Sequence, residues 1–272
     1  MNASCGARRV VSPRFAALPA ERRAIRRVLV SRFRWRRRLT RRGGGLTTDG
    51  LMRDDVLVAR STFVRQPLTR VTSRYDRLAR WYRFAGPLIL LAPGFRRKAV
   101  KRLGLKPADT VLEIGCGTGR NLALLREAVG AAGGVIGVDA SGGMLSQARE
   151  LATRRGWRNV RLIQQDAAEL DLQDQVDAVF FSLSYSVLPD RKPVLLKAWE
   201  TLRPGGRLVI MDAGLPASRL GRLLAPIGEK IATALPGDPY SRPWEDLKAI
   251  SDTVDTERFQ LGIYFICTVI KP

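Results

Sequence analysis

The stretch 111–121, VLEIGCGTGRN, decides how this chain of 272 residues folds. Val111, Leu112 and Ile114 are apolar and in part β-branched, so 110–114 reads as a short buried strand. Gly115, Gly117 and Gly119 follow at alternate positions. Glycines spaced in this way directly after a strand let the backbone turn sharply and approach a ligand with no side chain intervening. A helix from about 121 to 129 then points its free N–H groups at that ligand.

Working outward, the pattern alternates. A strand at 134–138 ends at Asp139, a helix follows over about 143–155, and 160–164 is a third strand. The run 176–181 is a fourth strand. A helix at 193–202 leads through Pro204-Gly205-Gly206 into a strand at 207–211. Such alternation specifies an α/β fold, a parallel sheet with helices on both faces. The end, 253–270, reads as two strands joined near Gly262. Upstream, Leu68, Val71, Tyr75, Leu78 and Tyr82 recur at three- and four-residue intervals and mark an amphipathic helix, interrupted at Gly86-Pro87. A second helix spans about 95–103. The segment 213–250 breaks the alternation, with Leu220, Leu223, Leu224, Ile227, Ile231 and Leu235 on one helical face; it is read as an insertion that covers the acceptor side of the site.

The formal charge is +22, and it is unevenly placed. Residues 1–51 hold fourteen arginines against Glu21 and Asp49, so more than half of the excess lies in the first fifth of the chain. Self-repelling charge of this density builds no core, and 1–51 is expected to be a disordered, Arg-rich leader. It reads either as an RNA- or membrane-binding tail or as the product of a start assigned upstream of Met52. The pair Arg8-Arg9 lacks the hydrophobic region of an export signal, and no apolar run reaches the length of a spanning helix. Three separated cysteines without a CxxC pair argue against a disulfide framework or a zinc site and fit a reducing cytoplasm. Histidine is absent, which removes the commonest general base and metal ligand; no metal is expected.

Two acids accompany the glycine loop. Asp139 closes the second strand at the edge where ligands of such sheets bind, and its carboxylate can accept both hydroxyls of a ribose; a helix N-cap is the alternative. Asp166, with Ala167, follows the third strand and can pair with an adenine edge, or simply cap a turn. A pyrophosphate site usually has the spacing GxGxxG; here the third glycine comes one place early and Arg120 stands where it would be. That favours S-adenosylmethionine, which carries no phosphate.

With VLEIGCGTGRN, GVDASGGML, LIQQDAAEL, DAVFFSLSYSVLPD and LRPGGRLVIMD in this order, the chain resembles the class I S-adenosylmethionine-dependent methyltransferases over about 69–271. The resemblance implies a Rossmann-like, seven-stranded, mostly parallel sheet with an antiparallel last strand, in a domain spanning 67–272. It implies S-adenosylmethionine as cofactor, with Gly115, Gly117 and Gly119 around its methionine part, Asp139 on the ribose, and Asp166 with Ala167 at adenine. Met144 is assigned to the adenine face, Ser182 to the neighbourhood of the sulfonium, and Glu113 to the loop or the amino group. Tyr75-Asp76 and Tyr82 resemble the opening of the quinone-biosynthesis and phospholipid N-methyltransferase branches, which makes Tyr75 a candidate for the methionine carboxylate.

A neutral amine or an activated ring carbon needs little or no base, which suits a chain without histidine. For an acceptor that needs one, Tyr185, Asp190 and Tyr240 are the stand-ins. The acceptor is expected to be a small hydrophobic or lipid molecule, first a phospholipid amine headgroup and next a quinone precursor methylated at carbon or oxygen. Leu88–Leu91, Leu235, Tyr240 and Trp244 are expected to make its wall. The neighbouring arginines suggest contact with the inner face of a membrane from the cytoplasm. Of the alternatives of another class, a nucleic-acid methyltransferase is disfavoured because no RNA module precedes the fold, and a non-catalytic cofactor-binding module stays open.

Overall fold

The computed structural model describes residues 66–85, 94–216, 218–234 and 237–272. One sheet contains β1 Thr110–Ile114, β2 Gly134–Asp139, β3 Val160–Gln164, β4 Val176–Ser182, β5 Leu202–Ala213, β6 Asp255–Phe259 and β7 Tyr264–Ile270. Their order is β3-β2-β1-β4-β5-β7-β6. Strands β1 to β5 pair in parallel, and β7 runs antiparallel to both β5 and β6. This is the Rossmann-like sheet with an antiparallel last strand that the sequence implies.

The helices are α1 Leu68–Ala85, α2 Phe95–Arg102, α3 Leu122–Val129, α4 Gly142–Arg154, α5 Arg191–Thr201, α6 Arg219–Ala234 and α7 Pro243–Leu247. Alternate strand residues point to opposite sides of the sheet, so each strand feeds two cores. Leu112, Ile114, Val179, Phe181, Leu208 and Ile210 pack with Val194, Leu195 and Ala198 of α5 and Leu247 of α7. Val111, Ala178, Phe180, Val209 and Met211 pack with Phe95 and Ala99 of α2, Leu122 and Leu125 of α3 and Ala148 of α4. Burial on both faces is why these strands read as nearly continuous apolar runs.

Strand β5 starts at Leu202, five residues before the expected 207. The Pro204-Gly205-Gly206 turn is drawn into the sheet edge: the Gly205 N–H donates to the Lys271 carbonyl at 2.8 Å, and the Lys271 N–H to the Gly206 carbonyl at 3.0 Å.

The last strands also hold α2. Phe95 stands edge-on to Phe259 and Tyr264, with centroids 4.9 and 5.6 Å away. Lys98 pairs with Glu257, and Arg102 with Asp255 at 2.6 Å and Glu257 at 2.7 Å. The Lys98 ammonium and the Arg102 guanidinium hold the Glu257 carboxyl below its usual range. Each such pair is half exposed and weak alone, but together they fix the position of α2 against β6.

The segment 213–250 contains α6 and α7. The ends of the α6 excursion are tied together, since the Leu215 N–H donates to the Pro239 carbonyl at 2.7 Å. The six-residue apolar face expected there is divided: Leu224 is half-buried, whereas Leu223 and Ile227 are 75% and 59% exposed. Trp244, expected in the acceptor wall, does not line the cavity at the carboxyl ends of the strands. Its ring packs edge-on against Phe265, 5.3 Å between centroids, on the sheet. The leader 1–51, the break at Gly86-Pro87, Leu88–Leu91 and Leu235 lie outside the described residues. Among the described residues, no helix is long and apolar enough to cross a membrane.

Candidate active site

Register brings the functional strand ends level. Ile114 lies opposite Val138 on one side and Phe181 on the other, and Asp139 lies opposite Gln164. The glycine loop, Asp139 and Ser182 therefore leave the sheet at one edge, beside the β1/β4 boundary where the strand order reverses. Such switch points open a crevice at the carboxyl ends of the strands. The cavity found there is lined by eight of the ten residues expected to hold the cofactor: Tyr75, Gly115, Gly117, Asp139, Met144, Asp166, Ala167 and Ser182. Glu113 and Gly119 are not among its lining residues.

The loop bends through left-handed backbone at Gly115, Gly117 and Gly119, with φ of 72°, 55° and 79°. At Gly115 the requirement is double, because a Cβ would stand 2.4 Å from the Ser184 Cβ. At Gly117 a Cβ would meet nothing within 4 Å, so here the loop shows bare backbone to open space. Asp139 fixes that loop. Its carboxylate accepts from the Gly117 N–H at 2.8 Å and from the Ser141 N–H at 2.9 Å. Burial raises the carboxyl above its usual range and these N–H groups draw it back. Ser141 caps α4 by accepting from the Met144 N–H at 3.1 Å, which places Met144 in the wall.

Helix α1 is docked on that same cap. The Asp76 carboxylate accepts from the Ser141 hydroxyl at 2.5 Å and the Gly143 N–H at 2.9 Å. Tyr75, its neighbour, lines the cavity. Asp166 caps a short 3-10 turn through the Ala168 N–H at 2.9 Å, so the capping and cavity-lining readings of this residue both hold.

Of the three stand-in bases, Asp190 lines the cavity and also caps α5, accepting from the Lys192 N–H at 3.2 Å. Tyr185 and Tyr240 are absent from the lining. Tyr185 is fully buried and its hydroxyl donates to the Asp246 carboxylate at 2.9 Å. The Tyr240 N–H donates to the Asp238 carboxylate at 2.9 Å, in the group that anchors the insertion.

Two cavity features escaped the sequence reading. Arg96 of α2 lines the cavity and donates to the Asn121 side-chain oxygen at 3.0 Å and the Ser182 hydroxyl at 3.1 Å. Helical spacing carries the signal, since residue 96 lies beside the inward positions 95, 99 and 100. Leu183 also lines the cavity, beside Ser184, which opens the stretch 184–190 that the sequence places in the acceptor pocket. Leu183 has φ 54°, a conformation non-glycine residues avoid, and the Ser184 hydroxyl donates to the Ile114 carbonyl at 2.6 Å. Nothing in the sequence marks that strained corner.

The donor set fits S-adenosylmethionine: bare backbone at Gly117, carboxylates at two strand ends, and Met144 and Ala167 as apolar wall. Sheet order, glycine loop and strand-end acids are those of the fold that class I S-adenosylmethionine-dependent methyltransferases share. Residues 111–206 match the family described as the methyltransferase domain. The chain is similar to demethylmenaquinone methyltransferases from Lactobacillus johnsonii, 31% identical over 59% of this chain and 64% of that one, and Listeria monocytogenes, 30% identical over 56% and 63%. It thus spans somewhat under two thirds of these relatives' length. Its fold is also that of an S-adenosylmethionine-dependent methyltransferase from Aquifex aeolicus, with TM-score 0.52 and 22% identity over 72% of this chain and 96% of that one.

Proposed function

We propose that this protein transfers the methyl group of S-adenosylmethionine to a prenylated quinone precursor, at an activated ring carbon. The observation that carries this is the part of the cavity wall outside the cofactor residues, where Val187, Leu188, Pro189 and Val194 join Leu68 and Val71. An apolar wall suits a ring with a prenyl tail better than a charged headgroup. The names of the similar bacterial proteins support the same acceptor. The quinone precursor therefore replaces the phospholipid amine as the first reading.

When bound, S-adenosylmethionine supplies an electrophilic methyl group on a sulfonium. The chain's own task is to align the acceptor and exclude water. Asp139 accepts the ribose hydroxyls while its other lone pairs hold the loop. Asp166 and Ala167 flank the adenine, and Met144 lies on its face. Asp190 is the carboxylate of the apolar wall; it takes up the ring-hydroxyl proton as the ring carbon takes the methyl group, and the proton returns to the oxygen as the ring C–H proton leaves to water and the aromatic ring is restored. The insertion 213–250 closes the acceptor side, and the reaction takes place at the cytoplasmic face of a membrane that holds the acceptor.

The test uses methyl-labelled S-adenosylmethionine with three acceptors offered separately: a reduced polyprenyl naphthoquinone, phosphatidylethanolamine vesicles and total tRNA. Label in the quinol, lost in Asp139→Ala, is the expected result. Label in the phospholipid or the RNA, or in none of the three, overturns the reading.

A further inference from the structure

Arg96 is held from two sides at the cavity wall. Its guanidinium bridges Asn121, just after the glycine loop, and Ser182, at the end of β4. Asn121 sits at the N-cap position of α3 yet makes no capping hydrogen bond. It is 2% exposed, and its amide donates instead to the carboxylate of Glu113, which is fully buried. The second Glu113 oxygen has no hydrogen-bond partner. A buried acid left half satisfied is costly, and such groups are retained where they serve a task. Here Glu113 fixes the Asn121 amide, so that the Asn121 oxygen faces Arg96.

The charges along the cavity point the same way. Its strand-end acids, Asp139 and Asp166, suit the hydroxyls and amino group of a nucleoside. A cofactor that also carries a free α-carboxylate needs a cation, and the lining residues contain two, Arg96 and Arg120. Arg96 stands between the glycine loop and Ser182, on a helix pinned to β6 by Phe95, Lys98 and Arg102. A guanidinium presents a fork of N–H donors that matches a carboxylate.

We propose that Arg96 binds the carboxylate at the methionine end of the cofactor, and that Asn121 and Glu113 are positioning residues that set its guanidinium. The role expected of Tyr75 passes to Arg96. The inference rests on the reading that this cavity takes S-adenosylmethionine.

Binding calorimetry with two ligands separates the two ideas. S-adenosylhomocysteine carries the amino-acid end; 5′-methylthioadenosine lacks it. Arg96→Ala weakens S-adenosylhomocysteine about 10- to 100-fold, the size of a lost charged hydrogen bond, and changes methylthioadenosine less than about twofold. Arg96→Lys, which keeps the charge without the fork, falls between, and it decides the matter should Arg96→Ala not fold. Asn121→Ala and Glu113→Ala reproduce the selective loss in weaker form. Glu113→Gln, able to accept the same Asn121 bond, restores it. Equal losses for both ligands, or a selective loss in Arg120→Ala but not at Arg96, overturn the inference. Failure of the wild-type protein to bind either ligand overturns the cofactor reading itself.

Discussion

Strands β2 and β5 both end in a similar signature, VIGVDAS at 135–141 and VIMDAG at 209–214, yet their aspartates do opposite things. Asp139 lines the cavity and spends its hydrogen bonds on the loop and the α4 cap. Asp212 is buried, does not line the cavity, and accepts from the Ser186 N–H at 2.7 Å, the Ser186 hydroxyl at 3.0 Å and the Ala213 N–H at 2.8 Å. The difference lies in position relative to the switch point. Both end the second strand out from the β1/β4 boundary, but Asp139 lies on the β1 side, where the cavity runs, and Asp212 on the β4 side, at the start of the segment 213–250. The first is a carboxylate presented to the cavity, the second a staple at the start of the segment 213–250.

That staple belongs to a larger anchor. Arg191 is buried at the start of α5, donates to the Tyr185 and Ser186 carbonyls, and pairs with Asp238 at 2.9 Å. The Asp238 N–H returns to the Ser186 carbonyl at 2.9 Å. Arg191→Ala is expected to have the largest effect of any single change in this half. Removing one partner of a buried pair leaves the other charge uncompensated, at a cost of about 3–5 kcal/mol. Chemical denaturation measures it, with faster proteolytic cleavage within 213–240 as the accompanying sign. A loss below about 1 kcal/mol would show that the insertion is held by something else.

The cofactor half has its own buried acid without full partnership, and pH exposes it. Burial raises the Glu113 carboxyl to about 7 from an ordinary 4.5, with the Asn121 bond and Arg96 opposing. Between those values the folded protein keeps a proton that the unfolded chain has lost. The resulting stability is fully present below the lower value and is lost as pH rises through about 7, on the order of 3 kcal/mol in all. Denaturation midpoints from pH 5 to 8 test this. The wild type should weaken across the window and Glu113→Gln should be nearly flat there; equal slopes would refute the assignment.

The two aspartates give the sharpest contrast. Asp139→Ala should weaken S-adenosylhomocysteine about 10- to 100-fold, as expected when a charged acceptor of hydrogen bonds is removed. Asp212→Ala should lower the unfolding free energy by about 1–3 kcal/mol, by stranding buried N–H groups, while the folded fraction binds cofactor as before. Calorimetry and denaturation on both variants decide it, and exchange of the two results would invert the comparison.

The sequence made the glycine-loop side of the cavity legible because its cavity-facing groups sit where chain order alone puts them, on strand ends and in one loop. The strand alternation, the antiparallel finish, Asp139 and Asp166 could all be read in that way. Arg191 could not. In Asp190-Arg191-Lys192 it looks like a solvated charge, and only a partner 47 residues away makes it a buried one. Tyr185 looked free to act as a base until packing gave its hydroxyl to Asp246. Arg96 was one of several cations on a short helix, and its inward direction depends on how β6 and β7 seat that helix. What was not legible is what depends on contacts distant in sequence.

Helix α6 marks the other limit, where pattern overstated burial. Six apolar residues at helical spacing suggested one face packed inward, yet Leu223 and Ile227 stand in solvent while Leu224 is half-buried. The helix carries Pro226 within it, which removes one backbone donor. Exposed apolar side chains have little to lose on replacement. The double variant Leu223→Ser/Ile227→Ser should shift the unfolding free energy by less than about 0.5 kcal/mol, against about 2–5 kcal/mol for Leu112→Ala in the sheet core. Thermal melts of the two variants compare them directly. A loss above about 2 kcal/mol in the serine variant would mean that this face is covered in the folded protein, and the contrast between a packed sheet core and a lightly held α6 would fall.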